Sequence, residues 1–205
     1  YDSEPEEGLN GREIEAMRGK VVGGSSSINA MAYYHGHPAD YDRWASFGLP
    51  GWSHANVLPY FQRAEDWEGG ADAHRGIGGP LTTRRSTFED PLCDAFLKAG
   101  RDGQHPYTED YNGANPEGFA RMQMTLRNGR RWSAAAAYLR PALKRPNLTV
   151  ATGALVSRID MDGTRATGIT YTRGGNTVSA SAGEVILAGG SINSPQMLML
   201  SGIGD

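Results

Sequence analysis

Two glycine-rich joints in this sequence carry the residue types that bring backbone N–H groups close to a ligand. The first is Arg18-Gly19-Lys20-Val21-Val22-Gly23-Gly24-Ser25-Ser26-Ser27-Ile28-Asn29-Ala30-Met31, where an apolar pair runs into paired glycines and then three hydroxyl side chains. Lacking a Cβ, paired glycines permit a very close approach of the backbone. Asn29 offers an amide donor and a carbonyl acceptor together, which suits the edge of a heterocycle that presents both. The second joint is Glu184-Val185-Ile186-Leu187-Ala188 followed by Gly189-Gly190-Ser191 and a helix opened by Ser194 and Pro195. A buried strand, a glycine turn and a helix start make half of a βαβ unit, where the sugar or phosphate of a nucleotide meets backbone N–H groups at the positive helix end.

Plainer readings stay open at this point. The second joint also fits a strand-to-helix connection of any α/β fold, and a Gly/Ser run also fits a surface linker. The apolar flanks Val21, Val22, Ile28 and Met31 favour a segment threaded through the interior, where each hydroxyl and N–H needs a partner. Asn29 could equally satisfy that buried loop itself.

No catalytic set stands out beside these joints. The five histidines, His35, His37, His54, His74 and His105, lack metal-ligand spacing and are read as surface or hydrogen-bonding residues. Cys93, the single cysteine, lies between Leu92 and Phe96 in an apolar helical pattern and is read as core. No Gly-x-Ser-x-Gly joins a strand to a helix, so a hydrolase reading is weak. Asp40, Asp42 and Arg43 read as a solvated helix face.

The elements that must position the joints follow from periodicity and punctuation. Pro38, Tyr41, Trp44 and Gly48 mark a short helix, and Val57, Leu58, Phe61 and Ala64 mark the next, expected to begin near Asn56 within residues 53–67. Residues 68–80, rich in Gly, Asp and His, read as a loop and a domain crossing. Asp90 caps a helix that runs from Pro91 through Phe96 to Gly100 or Gly103. A strand is expected at Phe119 to Leu126 and a helix after Ser133 that ends or bends at Pro141. Leu148 to Ala151, Ala154 to Met161, Ala166 to Thr172 and Thr177 to Ala182 read as strands of a small antiparallel meander, with turns at Asp162-Gly163 and Gly174-Gly175. The Val185 run reads as a strand buried on both faces.

Composition narrows the setting. A net charge of −3, 39% hydrophobic and 21% charged residues describe an ordinary globular chain of 205 residues. Scattered basic residues argue against a nucleic-acid partner, and no apolar run approaches the ~18 residues of a membrane span. The 28 glycines cluster at joints instead of repeating. Tyr1 at the start and an apolar helix near the end read as an internal fragment of a longer protein.

In the order of its motifs the sequence resembles the glucose-methanol-choline flavoenzymes, in particular the choline dehydrogenase-like alcohol dehydrogenases and oxidases. Two signatures carry the likeness. One is the Arg18 to Asn29 stretch continued by Tyr34, Gly36-His37-Pro38-Ala39-Asp40-Tyr41-Asp42 and Trp44; the other is Gly190-Ser191-Ile192-Asn193-Ser194-Pro195-Gln196 with its Ser201-Gly202-Ile203-Gly204 exit. Pro59-Tyr60-Phe61, Asp110-x-Asn112-Gly113, Gly118-Phe119 and Gly129-Arg130 leading to Ser133 and Tyr138-Leu139 agree.

The resemblance implies an α/β fold with α+β elements: a partial Rossmann-type FAD-binding domain interleaved with a substrate domain on an antiparallel sheet. Residues 1–78 and 146–205 would belong to the FAD-binding domain and residues 79–145 to the substrate domain. It implies that Val21, Gly24 and Ser25 lie along the cofactor, that Asn29, Ala30 and Met31 reach the isoalloxazine ring, that Val156 meets the adenine, and that Ala188 and Gly189 end a strand beside the FAD. Ile28 stands where some members carry a histidine bonded to the flavin, so FAD is expected to be held noncovalently. His35 departs from the family's usual Arg, and Met17 from a frequent Pro. The expected activity is oxidation of a primary alcohol with hydride passing to flavin N5. The Gly-x-Gly-x-x-Gly unit and the catalytic histidine of the family have no counterpart in this chain, so the fragment alone is expected to be inactive. The substrate would be a small alcohol, with the electron acceptor open and a cytoplasmic location favoured. A hydroxynitrile lyase on the same scaffold and a noncatalytic remnant are the alternatives.

Overall fold

The computed structural model describes residues 2–204 and divides the chain into two compact units, Tyr1–Pro146 and Asn147–Asp205. Both mix helices with short open sheets.

In the first unit, α1 (Pro38–Ser46) starts where the His37 Nδ1 accepts from the Ala39 N–H at 3.2 Å, with proline at the first helical position. Helix α2 (His54–Ala64) begins two residues earlier than the expected Asn56. The Asp42 carboxylate accepts from the His54 N–H at 2.9 Å, so a side chain from α1 satisfies one of the N-terminal donors. The helix ends with its apolar stripe at Ala64, short of Trp67, the end of the stretch assigned to it. Glu65 turns extended and β1 (Glu65–Trp67) pairs in parallel with β2 (Leu81–Arg85), Glu65 opposite Leu81 and Trp67 opposite Thr83.

Helix α3 (Pro91–Asp102) has the expected cap: Asp90 Oδ1 accepts from the Leu92 N–H at 2.8 Å. Its face is turned otherwise than expected. Leu97 and Gly100 are buried, while Leu92 and Phe96 are exposed, and Cys93, read from the sequence as core, is exposed as well. Helical periodicity fixes which residues share a face but not which face meets the rest of the unit. The expected strand at Phe119 to Leu126 is shorter and split: β3 (Gln123–Met124) pairs antiparallel with β2, and β4 (Leu126–Arg127) pairs with β5 (Arg130–Arg131) through an Asn128-Gly129 turn with both φ values positive, 51° and 69°. After Ser133, whose Oγ accepts from the Ala136 N–H at 3.4 Å, the chain makes a π-helical turn over Ala135–Leu139 and continues as α4 (Arg140–Ala142).

The second unit is an antiparallel meander, β6 (Ala154–Asp162), β7 (Arg165–Arg173) and β8 (Asn176–Ser181), followed by α5 (Gly190–Leu200). Its turns fall at Gly163 and at Gly174-Gly175, as expected from the glycines. Among the described residues Ile159 is the buried hydrophobic one here, and its N–H donates to the Ser201 Oγ at 2.8 Å.

Three expectations fail in this unit. Leu148 to Ala151 and Glu184 to Ala188 form no strand, and Ile186 is 82% exposed. A strand exists only where a neighbour accepts its ladder, and neither run finds one among the described residues. Helix α5 starts at Gly190, whose φ of 90° turns the chain into it, so Pro195 sits inside the helix instead of opening it.

Candidate functional site

The glycine–serine segment forms a 3-10 turn, Gly24–Ser27, entered through left-handed Gly23 and Gly24 with φ of 97° and 55°. Each glycine answers a different demand. A Cβ at Gly19 would lie 2.3 Å from the Gly24 carbonyl oxygen, so the two strands of the loop touch backbone to backbone there. At Gly23 a Cβ would come 2.5 Å from the Ser27 Oγ and 3.1 Å from the Ala135 Cβ. At Gly24 no atom lies within 4 Å of a built Cβ, so its left-handed backbone borders open space.

The three serine hydroxyls are spent on holding this turn. Ser25 Oγ accepts from the Gly19 N–H at 3.2 Å, and Ser27 Oγ donates to the Val22 carbonyl at 3.0 Å. Ser26 Oγ donates to the Gly23 carbonyl at 2.5 Å and accepts from the Ala134 N–H at 3.0 Å, tying the turn to the start of the π-helical segment. π turns inside helices concentrate at functional sites.

Asn29 and Met31 leave the turn in a fixed pose. The Asn29 Oδ1 accepts from the Met31 N–H at 3.1 Å, with Met31 at a φ of 63°. Arg131 on β5 donates through one nitrogen, Nη1, to the Asn29 Oδ1 at 2.8 Å, to the Asn29 carbonyl at 2.6 Å and to the Ser26 carbonyl at 3.3 Å. Residues 31–33 then run against β3: Thr125 N–H donates to the Met31 carbonyl and Tyr33 N–H to the Gln123 carbonyl, both at 2.9 Å. Val21, Gly24, Ser25, Asn29, Ala30 and Met31 are thus brought together on one loop. The interior setting expected for it is corrected, since Val21, Val22 and Ile28 are 54%, 48% and 53% exposed. The serine hydroxyls satisfy the backbone of Gly19, Val22 and Gly23 locally, which removes the need for a buried surround.

Behind β3 lies a buried polar centre that the sequence reading missed. Arg75, from the loop of residues 68–80, is 1% exposed and donates to both Glu65 oxygens, from Nε at 3.0 Å and Nη2 at 2.5 Å. Its Nη1 reaches Asp110 Oδ1 at 2.6 Å and Gln123 Oε1 at 2.9 Å, and its guanidinium lies 3.9 Å over the Trp67 ring. Burial works against the Arg75 charge, but hydrogen bonding and attraction from Glu65, with help from Asp110, win and raise its pKa. Asn112 joins Gln123 Oε1 and the Tyr33 carbonyl, and accepts from the His35 N–H at 2.7 Å. No sequence signal marks Arg75, an isolated charge in a turn-rich loop; Asp110 and Asn112 were visible only as part of a motif.

His35 belongs to this centre and not to the surface. It is 5% exposed, stacks on Phe61 at 4.7 Å between centroids, and its Nε2 has no hydrogen-bond partner among the described residues. Glu65 stands 3.9 Å away and favours a charged ring, yet burial dominates and holds the His35 pKa down to about 4. We read the pair as a neutral imidazole beside a carboxylate already claimed by Arg75, not as an ion pair. Burial also pushes the Tyr33 and Tyr111 phenols above their ordinary range.

In the second unit, Val156 lies half-buried on β6 opposite Tyr171, and Ala188 and Gly189 are exposed just before α5. The Gly189 N–H donates to the Ser194 Oγ at 3.0 Å.

Comparison with known proteins gives the family of the chain. The chain is 53% identical over 205 residues to an oxygen-dependent choline dehydrogenase of Rhizobium etli and 52% identical over 206 residues to the mitochondrial choline dehydrogenase of Homo sapiens. All of this chain is covered in both cases, against 37% and 35% of those proteins, so it spans little more than a third of their length. Among solved structures it superposes on pyridoxine 4-oxidase from Mesorbium loti with a TM-score of 0.92 and 35% identity, covering 99% of this chain and 40% of that one. A FAD-dependent oxidoreductase from Chaetomium thermophilum matches with a TM-score of 0.90 and 31% identity, over 99% of this chain and 38% of that one. Residues 7–205 match the family described as GMC oxidoreductase, and the chain belongs to it.

Proposed function

We propose that this chain is the flavin-holding portion of an FAD-dependent oxidoreductase that acts on the CH–OH group of a small primary alcohol. The observation that carries the reading is the loop from Val21 to Met31, whose conformation is set by its own serines and by Arg131 while open space is left over Gly24. Similarity to choline dehydrogenases along the whole chain supports it.

The residues present fit the cofactor. Gly24 and Ser25 offer close backbone approach, and the Asn29 amide keeps its donor end clear of the network that holds its oxygen. FAD, when bound, supplies the acceptor for the hydride that leaves the alcohol carbon. The chain's share is to hold and orient: Val21, Gly24 and Ser25 along the cofactor, Asn29, Ala30 and Met31 at the ring, and Val156, Ala188 and Gly189 on the nucleotide. Ile28 presents no nucleophile, so the flavin is held noncovalently and acid precipitation releases it into the supernatant. No residue here is assigned as the catalytic base.

The test uses the natural full-length polypeptide. Anaerobic addition of primary alcohols, choline among them, is expected to bleach the oxidised flavin's visible absorbance, and Asn29→Ala is expected to lower flavin content or its reduction rate. A flavin that no alcohol bleaches would favour a lyase on this scaffold, and an Asn29→Ala protein with unchanged flavin content and reduction would remove Asn29 from the site.

A further inference from the structure

Arg131 and Asn29 lie 102 residues apart in the sequence, yet one nitrogen of the Arg131 side chain gathers three acceptors of the flavin loop. Two of them, the Asn29 carbonyl and its Oδ1, belong to the residue assigned to the ring. The third, the Ser26 carbonyl, lies inside the 3-10 turn. Since the Met31 N–H also donates to the Asn29 Oδ1, two donors converge on that atom. An amide has one acceptor end and one donor end, so this convergence decides the flip: the oxygen is held in the protein and the NH2 remains for a ligand.

The arrangement is held by charge as well as geometry. Arg131, which is partly buried, forms no ion pair among the described residues, while the buried guanidinium of Arg75 is paired with Glu65 and Asp110. A cation shared among neutral carbonyls stays positive and polarises them, and hydrogen bonds from a charged donor are the stronger class. Arg131 is itself fixed by the β4–β5 hairpin, where Leu126 faces it across a tight Asn128-Gly129 turn. The hairpin therefore delivers a charge to the back of the ring-facing loop.

We infer that Arg131 is a positioning residue for the flavin: it presets the Asn29 amide with its donor end outward and keeps an uncompensated positive charge behind the ring-binding loop. This rests on the flavin reading above and goes beyond it by assigning a residue that does not touch the cofactor. Its removal leaves the Asn29 amide to rotate and withdraws the nearby charge. The first effect weakens binding, and the second makes the flavin harder to reduce, because a reduced flavin gains negative character that a neighbouring cation stabilises.

The experiment compares Arg131→Met, Arg131→Lys and Asn29→Ala in the natural full-length polypeptide. The readouts are FAD affinity by titration of flavin-free protein, flavin midpoint potential, and unfolding midpoint of the flavin-free forms. Loss of hydrogen bonds to a charged donor implies that Arg131→Met weakens FAD binding about tenfold or more. The potential is expected to fall with it. Lysine keeps a charge and three donors on one nitrogen, so Arg131→Lys is expected to recover most of both with an unfolding midpoint like that of Arg131→Met.

If Arg131→Met keeps wild-type affinity and potential while Asn29→Ala does not, the flavin loop stands and the role of Arg131 falls. If Met and Lys lose flavin equally and both unfold earlier, Arg131 is a fold determinant and the inference is overturned. If none of the three substitutions touches flavin binding, the loop assignment fails with it.

Discussion

Around Arg75, charged and polar side chains lie within 2.5–3.0 Å of one another with Glu65, Arg75 and Gln123 essentially sealed from solvent. Around Asn29, the glycine–serine turn has comparable hydrogen-bond density, but Val21, Val22 and Ile28 beside it are about half exposed. Both regions sit on β3 or next to it, and both draw on an arginine. In the first, every charge faces a partner inside the protein, so the centre serves the fold. In the second, the backbone is shaped in detail by left-handed glycines while its outer side is left uncovered. A polar cluster whose charges are all paired within the protein is a structural element; one satisfied from behind only is a surface prepared for a ligand.

The largest expected effect breaks the comparison from the buried side. Arg75→Met leaves the buried Glu65 carboxylate without its partner cation, at a cost of about 3–5 kcal/mol, and Glu65→Gln, which leaves Arg75 paired with Asp110 alone, costs less. Urea unfolding of either variant reads it, and a loss below about 1 kcal/mol would show that the centre is wetter than its burial indicates.

A pH series sharpens the same side. His35 has its pKa lowered from 6.5 to about 4 by burial, so below pH 6.5 the unfolded chain binds a proton that the folded chain refuses. Stability from this group is full above pH 6.5 and is lost as pH falls toward 4, by an amount on the order of 3 kcal/mol. Denaturant midpoints of wild type against His35→Phe check the sign: the slope across that window should flatten in the variant.

The smallest effect separates two adjacent glycines of the loop. Gly23→Ala meets both a positive φ and the Ala135 Cβ, whereas Gly24→Ala meets the positive φ alone. The left-handed backbone costs roughly 1–2 kcal/mol in each. Gly23→Ala should therefore be the more destabilised by thermal melting, while Gly24→Ala should fold nearly as well yet bind FAD more weakly, because its new methyl enters the space open to the ligand.

Local signals were legible. The Asp90 cap, the glycine turns of the meander and the α1 start at Pro38 were all readable, because each depends on residues a few positions apart. The two joints were legible as unusual residue combinations, and the motif order identified the family. What failed needed a partner at a distance. Leu148 to Ala151 and Glu184 to Ala188 have strand composition without a strand beside them, and Cys93 sits on an amphipathic helix whose orientation its neighbours decide.

The sequence by itself determined the turns, the caps, the glycine positions that no other residue fills without strain, and membership of the GMC oxidoreductases. Only the tertiary structure decided that His35 is buried and neutral, that Arg75 anchors a sealed polar centre, and that Arg131 reaches back to Asn29. The reason is physical: caps and turns are satisfied by neighbours along the chain, whereas a buried charge is tolerated only where distant segments bring the opposite charge or an acceptor to meet it.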